Sequence, residues 1–290
     1  MPGSWLSPAE LRQVVRDVRG RTQHAFAVNL VLEWDQHERL AAALEEGVRI
    51  VSLFWGDPAP YLPLVADAGA VSMVTVASAE EARQVVDAGA DAVVAQGWEA
   101  GGHVWGEVAS LPLIPAVADA VSPVPVVAAG GIADGRGLAA ALCLGAGAAW
   151  MGTRFVATVE APMHESYKQR VVESAETATV HTTLFDGGWP DAPHRVLENE
   201  TVRNWIAAGS PPAGARPGEG EVVATERGEP VRRYADAPPK PHTEGRTDLL
   251  ALYAGQSAGV VGAVEPAGEV VRRTAADAAV ILSGRRPERR

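Results

Sequence analysis

The sequence predicts an α/β fold of the TIM-barrel type, the parallel (β/α)8 barrel, and two observations support this prediction. A helical stretch, a glycine and a short β-branched run recur along the chain, as in AAALEEGVRIVSLFWG at 41–56 and QVVDAGADAVVAQG at 84–97. Such units form parallel sheets, because each crossover between parallel strands needs a helix. Two consecutive strand ends are also rich in glycine, as in the phosphate sites of (β/α)8 barrels.

The recurring unit predicts six strands, at 25–31, 49–54, 71–76, 91–96, 124–129 and 147–151. Each run is apolar on both faces, which is typical of a strand buried in a parallel sheet. The glycines just past the predicted helix ends, where the left-handed conformation is expected, are Gly47, Gly69, Gly89 and Gly145. Ser7 and Ser78 are predicted helix N-caps, each followed three residues later by a glutamate, as in a capping box.

The repeating pattern predicts three segments, at 1–160, 161–246 and 247–290. Residues 1–160 are expected to form the barrel core with its cofactor site. Residues 209–246 are dense in proline, glycine and charge, which predicts a long surface excursion. Residues 161–246 are therefore expected to form a small helical and loop subdomain that covers the substrate. Residues 247–290 are expected to return to the barrel as C-terminal helices.

Composition excludes several classes of function. The 25 basic and 36 acidic residues give a net charge of −11, which disfavours electrostatic binding of nucleic acid. One cysteine excludes an internal disulfide and a cysteine metal cluster, so a reducing cytoplasm is the expected location. No segment is apolar for long enough to predict a membrane span.

The glycine-rich strand ends predict an anion site. The first reads Ala129-Gly130-Gly131 and the second Met151-Gly152-Thr153. Positions without side chains let backbone N–H groups approach a phosphate closely, and a helix N-terminus adds a favourable dipole. The pair of loops predicts phosphate binding, whereas a single such loop would suit an ordinary turn equally well. Neither the dinucleotide-binding spacing nor the P-loop spacing is present.

A second candidate site lies in AQGWEAGGHVWG, at 95–106. It follows a predicted strand, at the end where barrel enzymes place their reacting groups. His103 can transfer protons near neutral pH, and Gln96 offers both a donor and an acceptor to the edge of a heteroaromatic ring. A lone histidine is usually structural, but this one lies in a glycine-rich loop between Trp98 and Trp105, which favours a functional role.

These two stretches resemble the FMN-dependent nitronate monooxygenases, formerly called 2-nitropropane dioxygenases. The resemblance runs from about residue 6 to residue 284 and includes AVNL at 27–30 and YAGQSAG at 253–259. It implies a TIM barrel with a small substrate domain, non-covalent FMN, and His103 as the catalytic base or as a hydrogen-bond donor to the nitro group. The positions that it implies for cofactor binding are Asn29 at its strand end, Gln96, Gly101 and Gly102 along the flavin, and Ala129, Gly130, Gly131, Met151, Gly152 and Thr153 around the phosphate.

The sequence departs from this family at its start. Family members open with two further strands, so the six predicted strands correspond to strands three to eight of a barrel truncated at its N-terminus. MPGSWLSPAEL at 1–11 corresponds to the end of the second strand. Unpaired backbone along 25–31 and along 147–151 would then favour homo-oligomers.

Three functions are compatible with these residues. The first is a monooxygenase that converts alkyl nitronates and O₂ to carbonyl compounds and nitrite. The second is an NAD(P)H-dependent flavin reductase of the enoyl- or quinone-reductase type, and the third is a non-catalytic relic. Small molecules are the expected partners in the first two, and neither nucleic acid nor a membrane is expected in any of them.

For the other candidate residues, the sequence predicts no functional role. Cys143 is expected to be a small core residue within a helix. His164, Tyr167 and Lys168 share one helix face, which is expected to be solvated. Trp150 is expected to pack in the barrel. The remaining histidines lack the spacing of metal ligands, so no metal is predicted.

Overall fold

A computed structural model of the chain describes residues 1–284. The strands are β1 (Ala27–Val31), β2 (Ile50–Phe54), β3 (Val71–Val76), β4 (Ala92–Gln96), β5 (Gly102–His103), β6 (Val126–Ala129), β7 (Ala148–Trp150), β8 (Thr179–Thr182), β9 (His194–Leu197), β10 (Val222–Glu226), β11 (Glu229–Arg232) and β12 (Thr243–Gly245). The α-helices are α1 (Pro8–Arg19), α2 (His37–Glu45), α3 (Leu62–Asp67), α4 (Ala79–Asp87), α5 (Ser110–Val121), α6 (Gly135–Cys143), α7 (Thr153–Val156), α8 (Glu165–Val172), α9 (Glu200–Ala207) and α10 (Ala267–Leu282).

Six strands form one sheet in the order β1-β2-β3-β4-β6-β7, with parallel pairing from β1 through β4. These are the six predicted strands, each observed within two residues of its predicted start, so the predicted α/β fold of TIM-barrel type with six strands is confirmed. The chain divides into two compact units. The first comprises Met1–Gln96, Leu111–Ala128 and Leu144–Gly147, and the second comprises Gly97–Ser110, Ala129–Cys143 and Ala148–Arg290.

The first unit follows the predicted repeat. All four helix-ending glycines have positive φ, between 63° and 105°. Ser7 and Glu10 form the full reciprocal capping box, and Ser78 accepts the Glu81 N–H at 3.1 Å. Glu81 accepts a further bond from the N–H of Ala77, one residue before the cap. The apolar faces of α1 and α2 pack on β1 and β2 in one core cluster, which buries the helices against the sheet.

The first residues of the chain cover the outer edge of β1. Pro2 forms a parallel bridge with Asn29, whose N–H donates to the Met1 carbonyl at 2.8 Å. The Asn29 carbonyl accepts from the Gly3 N–H at 2.9 Å, and the Val31 N–H donates to Ser4 Oγ at 2.7 Å. This short pairing agrees with the end of a second strand, as the resemblance implied. The expectation that the backbone along 25–31 is unpaired is therefore wrong.

The second unit contains α6 to α10 and two antiparallel sheets of three strands, in the orders β5-β9-β8 and β11-β10-β12. The second of these sheets lies within 209–246, where the sequence predicted only an excursion. The division at residues 160 and 246 stays a prediction, and residues 285–290 of its last segment lie outside the described residues.

Three expectations about single residues are wrong. Cys143 is exposed, because it lies on the outer face of α6, and Trp150 on β7 is 38% exposed. Tyr167 and Lys168 are buried, since α8 packs that face into a core with Leu197 and Leu252.

Within residues 1–284, no helix is long and apolar enough to cross a membrane, and no group of three potential His, Cys, Asp or Glu metal ligands occurs.

Candidate functional site

The loop that carries His103 is fixed by its own hydrogen bonds. Gly97 donates its N–H to the Ala129 carbonyl at 2.8 Å. The Glu99 carboxylate accepts the Ser110 N–H at 2.9 Å and lies 3.0 Å from Ser110 Oγ, so it caps the first residue of α5. Ser110 Oγ also lies 2.9 Å from the Gly130 carbonyl oxygen. The His103 loop and the first glycine loop are therefore held together through Ser110.

A second segment crosses the same loop at very short range. A Cβ atom at Gly101 would lie 2.2 Å from the Gly255 nitrogen, and one at Gly255 would lie 2.4 Å from the Glu99 carbonyl oxygen. Gln256 donates its N–H to that carbonyl at 3.0 Å, and Gly255 donates to Thr153 Oγ1 at 2.9 Å. Only glycines permit this approach, which joins the segment 253–259 to both the His103 loop and the second glycine loop.

His103 lies in an aromatic environment. It belongs to β5, which pairs with β9 so that His103 is opposite His194. The imidazole stacks on Trp189, with ring centroids 4.1 Å apart and planes 25° apart. The rings of His194 and Tyr253 each lie 5.5 Å away by centroid, and only 12% of the His103 side chain is exposed.

Burial determines the charge of both histidines. Burial, followed by repulsion from His194, lowers the pKa of His103 to about 3. Burial also lowers the pKa of His194 to about 4. His194 Nδ1 lies 2.9 Å from the Ala192 carbonyl, and its Nε2 accepts the Phe185 N–H at 3.3 Å, which fits the neutral tautomer protonated on Nδ1. Both imidazoles are therefore neutral near pH 7.

A buried carboxylate faces His103. Asp236 Oδ1 lies 3.8 Å from His103 Nε2, and 9% of the Asp236 side chain is exposed. Burial raises the pKa of Asp236 to about 6, and the hydroxyl of Tyr253, which donates to Oδ1, opposes that rise. The carboxylate is therefore mostly ionised at neutral pH, beside a neutral imidazole.

The glycines around the candidate site differ in the space in front of them, which is crowded at Gly130 and open at Gly102 and Gly152. Gly130 and Gly131 have φ of 92° and 72°, and a Cβ at Gly130 would lie 2.8 Å from the Gly97 carbonyl oxygen. A Cβ at Gly102 or at Gly152 would meet no atom within 4 Å. The site therefore has backbone surfaces that a planar or anionic group could approach without meeting a side chain.

The structure brings most of the predicted residues into the second unit. They are Gly101, Gly102, His103, Ala129, Gly130, Gly131, Met151, Gly152 and Thr153. Gln96, at the end of β4, and Asn29 belong to the first unit. Asn29 lies in the middle of β1, not at its end, and its Oδ1 accepts from Ser52 Oγ at 2.9 Å.

Sequence reasoning missed Trp189, Asp236 and Tyr253. Trp189 and Asp236 lie in stretches without periodicity, so no pattern marked them. Tyr253 had a usable signal, because it precedes the AGQSAG run that was already noted for its glycines.

Comparisons with known proteins identify similar chains and folds. A (3aS,4S,5R,7aS)-5-hydroxy-7a-methyl-1-oxo-octahydro-1H-indene-4-carboxyl-CoA dehydrogenase from Mycobacterium tuberculosis is 41% identical over 196 residues, which are 67% of this chain and 54% of that protein. FabK from Thermotoga maritima is similar in structure with a TM-score of 0.79 and 32% identity, over 97% of this chain and 84% of that one. A nitroalkane oxidase from Streptomyces ansochromogenes has a TM-score of 0.76 and 26% identity, over 98% and 89% of the two chains.

The chain matches only part of the length of its curated relatives. It spans 54%, 56% and 60% of the length of three of them. The family profile described as nitronate monooxygenase, however, matches residues 5–277 and so includes the His103 loop, both glycine loops and the segment 253–259. The chain therefore belongs to the nitronate monooxygenase family.

Proposed function

We propose that the chain is an FMN-dependent nitronate monooxygenase, which oxidises alkyl nitronates with O₂ to carbonyl compounds and nitrite. The observation that carries this proposal is the buried, neutral His103, which directly follows Gly102, a glycine that borders open space. An imidazole in that state can donate a hydrogen bond to a nitronate oxygen or accept a proton from a nitroalkane carbon. The family profile and the similarity to a nitroalkane oxidase support the same reaction class.

The residues present fit a flavin mononucleotide. Open space in front of Gly102 suits a flat ring that must approach the backbone, and open space at Gly152 suits a phosphate group. The proposed phosphate site comprises Gly130, Gly131, Gly152 and Thr153, a single monophosphate site without a second nucleotide-binding segment. When bound, FMN would accept electrons from the substrate and pass them to O₂.

His103 serves the two forms of substrate differently. An alkyl nitronate arrives without its acidic proton, so the neutral imidazole only needs to orient it through an N–H donor. A neutral nitroalkane must first lose a C–H proton, which His103 would accept while the electron pair stays on the substrate as the nitronate. Stacking on Trp189 fixes the plane of the ring during both steps.

A second candidate is an NAD(P)H-dependent flavin reductase. It is favoured by one observation, the 41% identity to a relative that is named a CoA-ester dehydrogenase. Anaerobic addition of NAD(P)H distinguishes the two candidates, since rapid bleaching of the flavin spectrum indicates a reductase and a spectrum that stays oxidised indicates a monooxygenase.

The test of the proposed function is a spectrum followed by turnover. The purified 290-residue chain should show the absorption of oxidised flavin, and heat denaturation should release FMN and not FAD. Ethyl nitronate should then consume O₂ and yield nitrite. Protein that binds no flavin at saturating FMN would favour the non-catalytic alternative, and released FAD would contradict the single phosphate site.

A further inference from the structure

We propose that Asp236 is the charge partner of His103, a positioning residue that allows the buried imidazole to accept a proton, and that Tyr253 keeps this carboxylate ionised. The inference rests on the proposed function, since it concerns proton removal from neutral nitroalkanes. It goes beyond that function because Asp236 and Tyr253 lie outside both glycine loops and outside the His103 loop.

Geometry assigns this role to Asp236. Its Oδ1 lies 3.8 Å from His103 Nε2, and both side chains are nearly excluded from solvent. An imidazolium that forms in such a place loses most of its hydration, so a carboxylate at this distance is the main available source of stabilisation. Trp189 fixes the imidazole from its face, which leaves the ring edge directed at the carboxylate.

The position of Asp236 is fixed from two directions. Its N–H donates to the Gly187 carbonyl at 3.3 Å, next to a backbone bridge between Gly187 and Ala235. Its Oδ1 accepts from the Tyr253 hydroxyl, and the Tyr253 carbonyl in turn accepts from the hydroxyl of Tyr167. Tyr253 is thereby tied to α8 and can act as a fixed donor to the carboxylate.

The other ionisable groups around the pair do not replace Asp236. His194 lies beside His103 and is neutral, and His181 repels charge on His194. Asp186 favours charge on His194, but it is engaged by Arg216 at 2.9 Å. Tyr167 and Tyr253 stay protonated, because burial raises the pKa of each hydroxyl above its ordinary value. Asp236 presents a carboxylate oxygen within 4 Å of His103 Nε2.

The sign of the pH dependence follows from the carboxylate. Asp236 has a raised pKa, of about 6, and stabilises the imidazolium only when ionised. Proton abstraction from a neutral nitroalkane should therefore be supported above this pH and be lost as the pH falls through it. Tyr253→Phe removes the donor that opposes the rise in the Asp236 pKa, so this variant should shift the acidic limb of the profile to higher pH while the ring still packs.

The decisive experiment compares two substrate forms in Asp236→Asn. With freshly dissolved neutral nitroethane, kcat/KM should fall roughly 10²-fold or more, within the range for impaired general-base catalysis. With ethyl nitronate the loss should be at least about ten times smaller, because no proton is removed from this substrate. Asp236→Glu should recover part of the nitroethane activity. An equal loss on both forms would indicate a purely structural role and overturn the proposal.

A second measurement does not depend on the oxidase reaction. In protein labelled at the histidine rings, the His103 NMR signal, assigned by its absence in His103→Asn, should change as Asp236 titrates at about pH 6, while His103 itself stays neutral. This step should be absent in Asp236→Asn, and a step that remains there, or no step in the wild-type chain, would overturn the pairing. If the wild-type chain oxidises neither substrate while the step depends on Asp236, the proposed function fails and the pairing stands. If Asp236→Asn does not fold, the same titration in Tyr253→Phe decides the proposal, because weaker ionisation of Asp236 should move the step to higher pH.

Discussion

Gly152→Ala separates cofactor binding from folding more cleanly than any other substitution in the glycine loops. The Gly152 backbone has φ of −96°, which every L-residue can adopt, and a Cβ there meets no atom within 4 Å. Gly152 is the N-cap of α7, where alanine is less favourable than glycine. The expected cost to the free energy of unfolding is therefore below about 1 kcal/mol, a fall in Tm of about 2 °C for a chain of this size.

The expected cost to FMN binding is larger. If the phosphate approaches the backbone at Gly152, a methyl group in that space removes about one charge-assisted hydrogen bond, which contributes roughly 1.5–3 kcal/mol. The Kd for FMN should then rise by roughly 10- to 150-fold, since 1.4 kcal/mol corresponds to about a factor of ten. Quenching of FMN fluorescence measures the Kd, and thermal unfolding of the apoprotein measures stability.

Gly262→Ala is the matched control. Gly262 is also in the second unit and also lacks a positive φ, and a Cβ there would likewise meet no atom within 4 Å, so its substitution should change neither Kd nor Tm. Gly130→Ala is a poorer test, because its methyl group would lie 2.8 Å from the Gly97 carbonyl and would also disturb folding. An FMN Kd in Gly152→Ala equal to that in Gly262→Ala would refute the phosphate site.

Three predictions concern other parts of the molecule. His103→Asn should retain FMN but lose roughly 10²–10⁴-fold in turnover of neutral nitroalkane, with a smaller loss on nitronate; equal losses would show that His103 only positions the substrate. Arg154→Met should lower the free energy of unfolding, measured by chemical denaturation, by about 3 kcal/mol, because Arg154 is 3% exposed and donates to the Ala157 and Ala263 carbonyls. As the control, Arg272→Met removes an exposed ion pair and should cost less than about 0.5 kcal/mol. Deleting residues 1–4 should expose the edge of β1 and cause association in size-exclusion chromatography; a monomer of unchanged Tm would contradict the role given to that edge pairing.

The barrel strands could be predicted because their signals are local. A buried parallel strand is apolar on both faces, and before four of the six strands a glycine marks the helix end. These signals located each strand to within two residues. The strands of 209–246 could not be predicted in this way. They are short and partly exposed, and β11 contains a proline. β10 pairs both with the adjacent β11 and with β12, which lies beyond a proline-rich stretch.

The site shows the same division between local and non-local signals. His103 and the glycines are marked by sequence, because a reacting group at a strand end and a close backbone approach each need particular residue types. The neighbours of His103 are not marked. Trp189 and Asp236 come from segments far along the chain, and only folding brings their side chains to the imidazole.

Thr153 shows how the two halves of the proposed site depend on each other. Sequence reasoning assigned its hydroxyl to the phosphate, yet in the structure Oγ1 accepts the Gly255 N–H, which leaves its own proton available to donate. Gly255 in turn lies against Gly101, two residues before His103. A shift of the proposed phosphate loop would therefore reach the imidazole through the Thr153 hydroxyl and the close approach of the Gly255 and Gly101 backbones, where no side chain can absorb it. We infer that the glycines of the segment 253–259 matter less for flexibility than for a fixed spacing, because the proposed anion site and the proton acceptor must both contact one bound molecule.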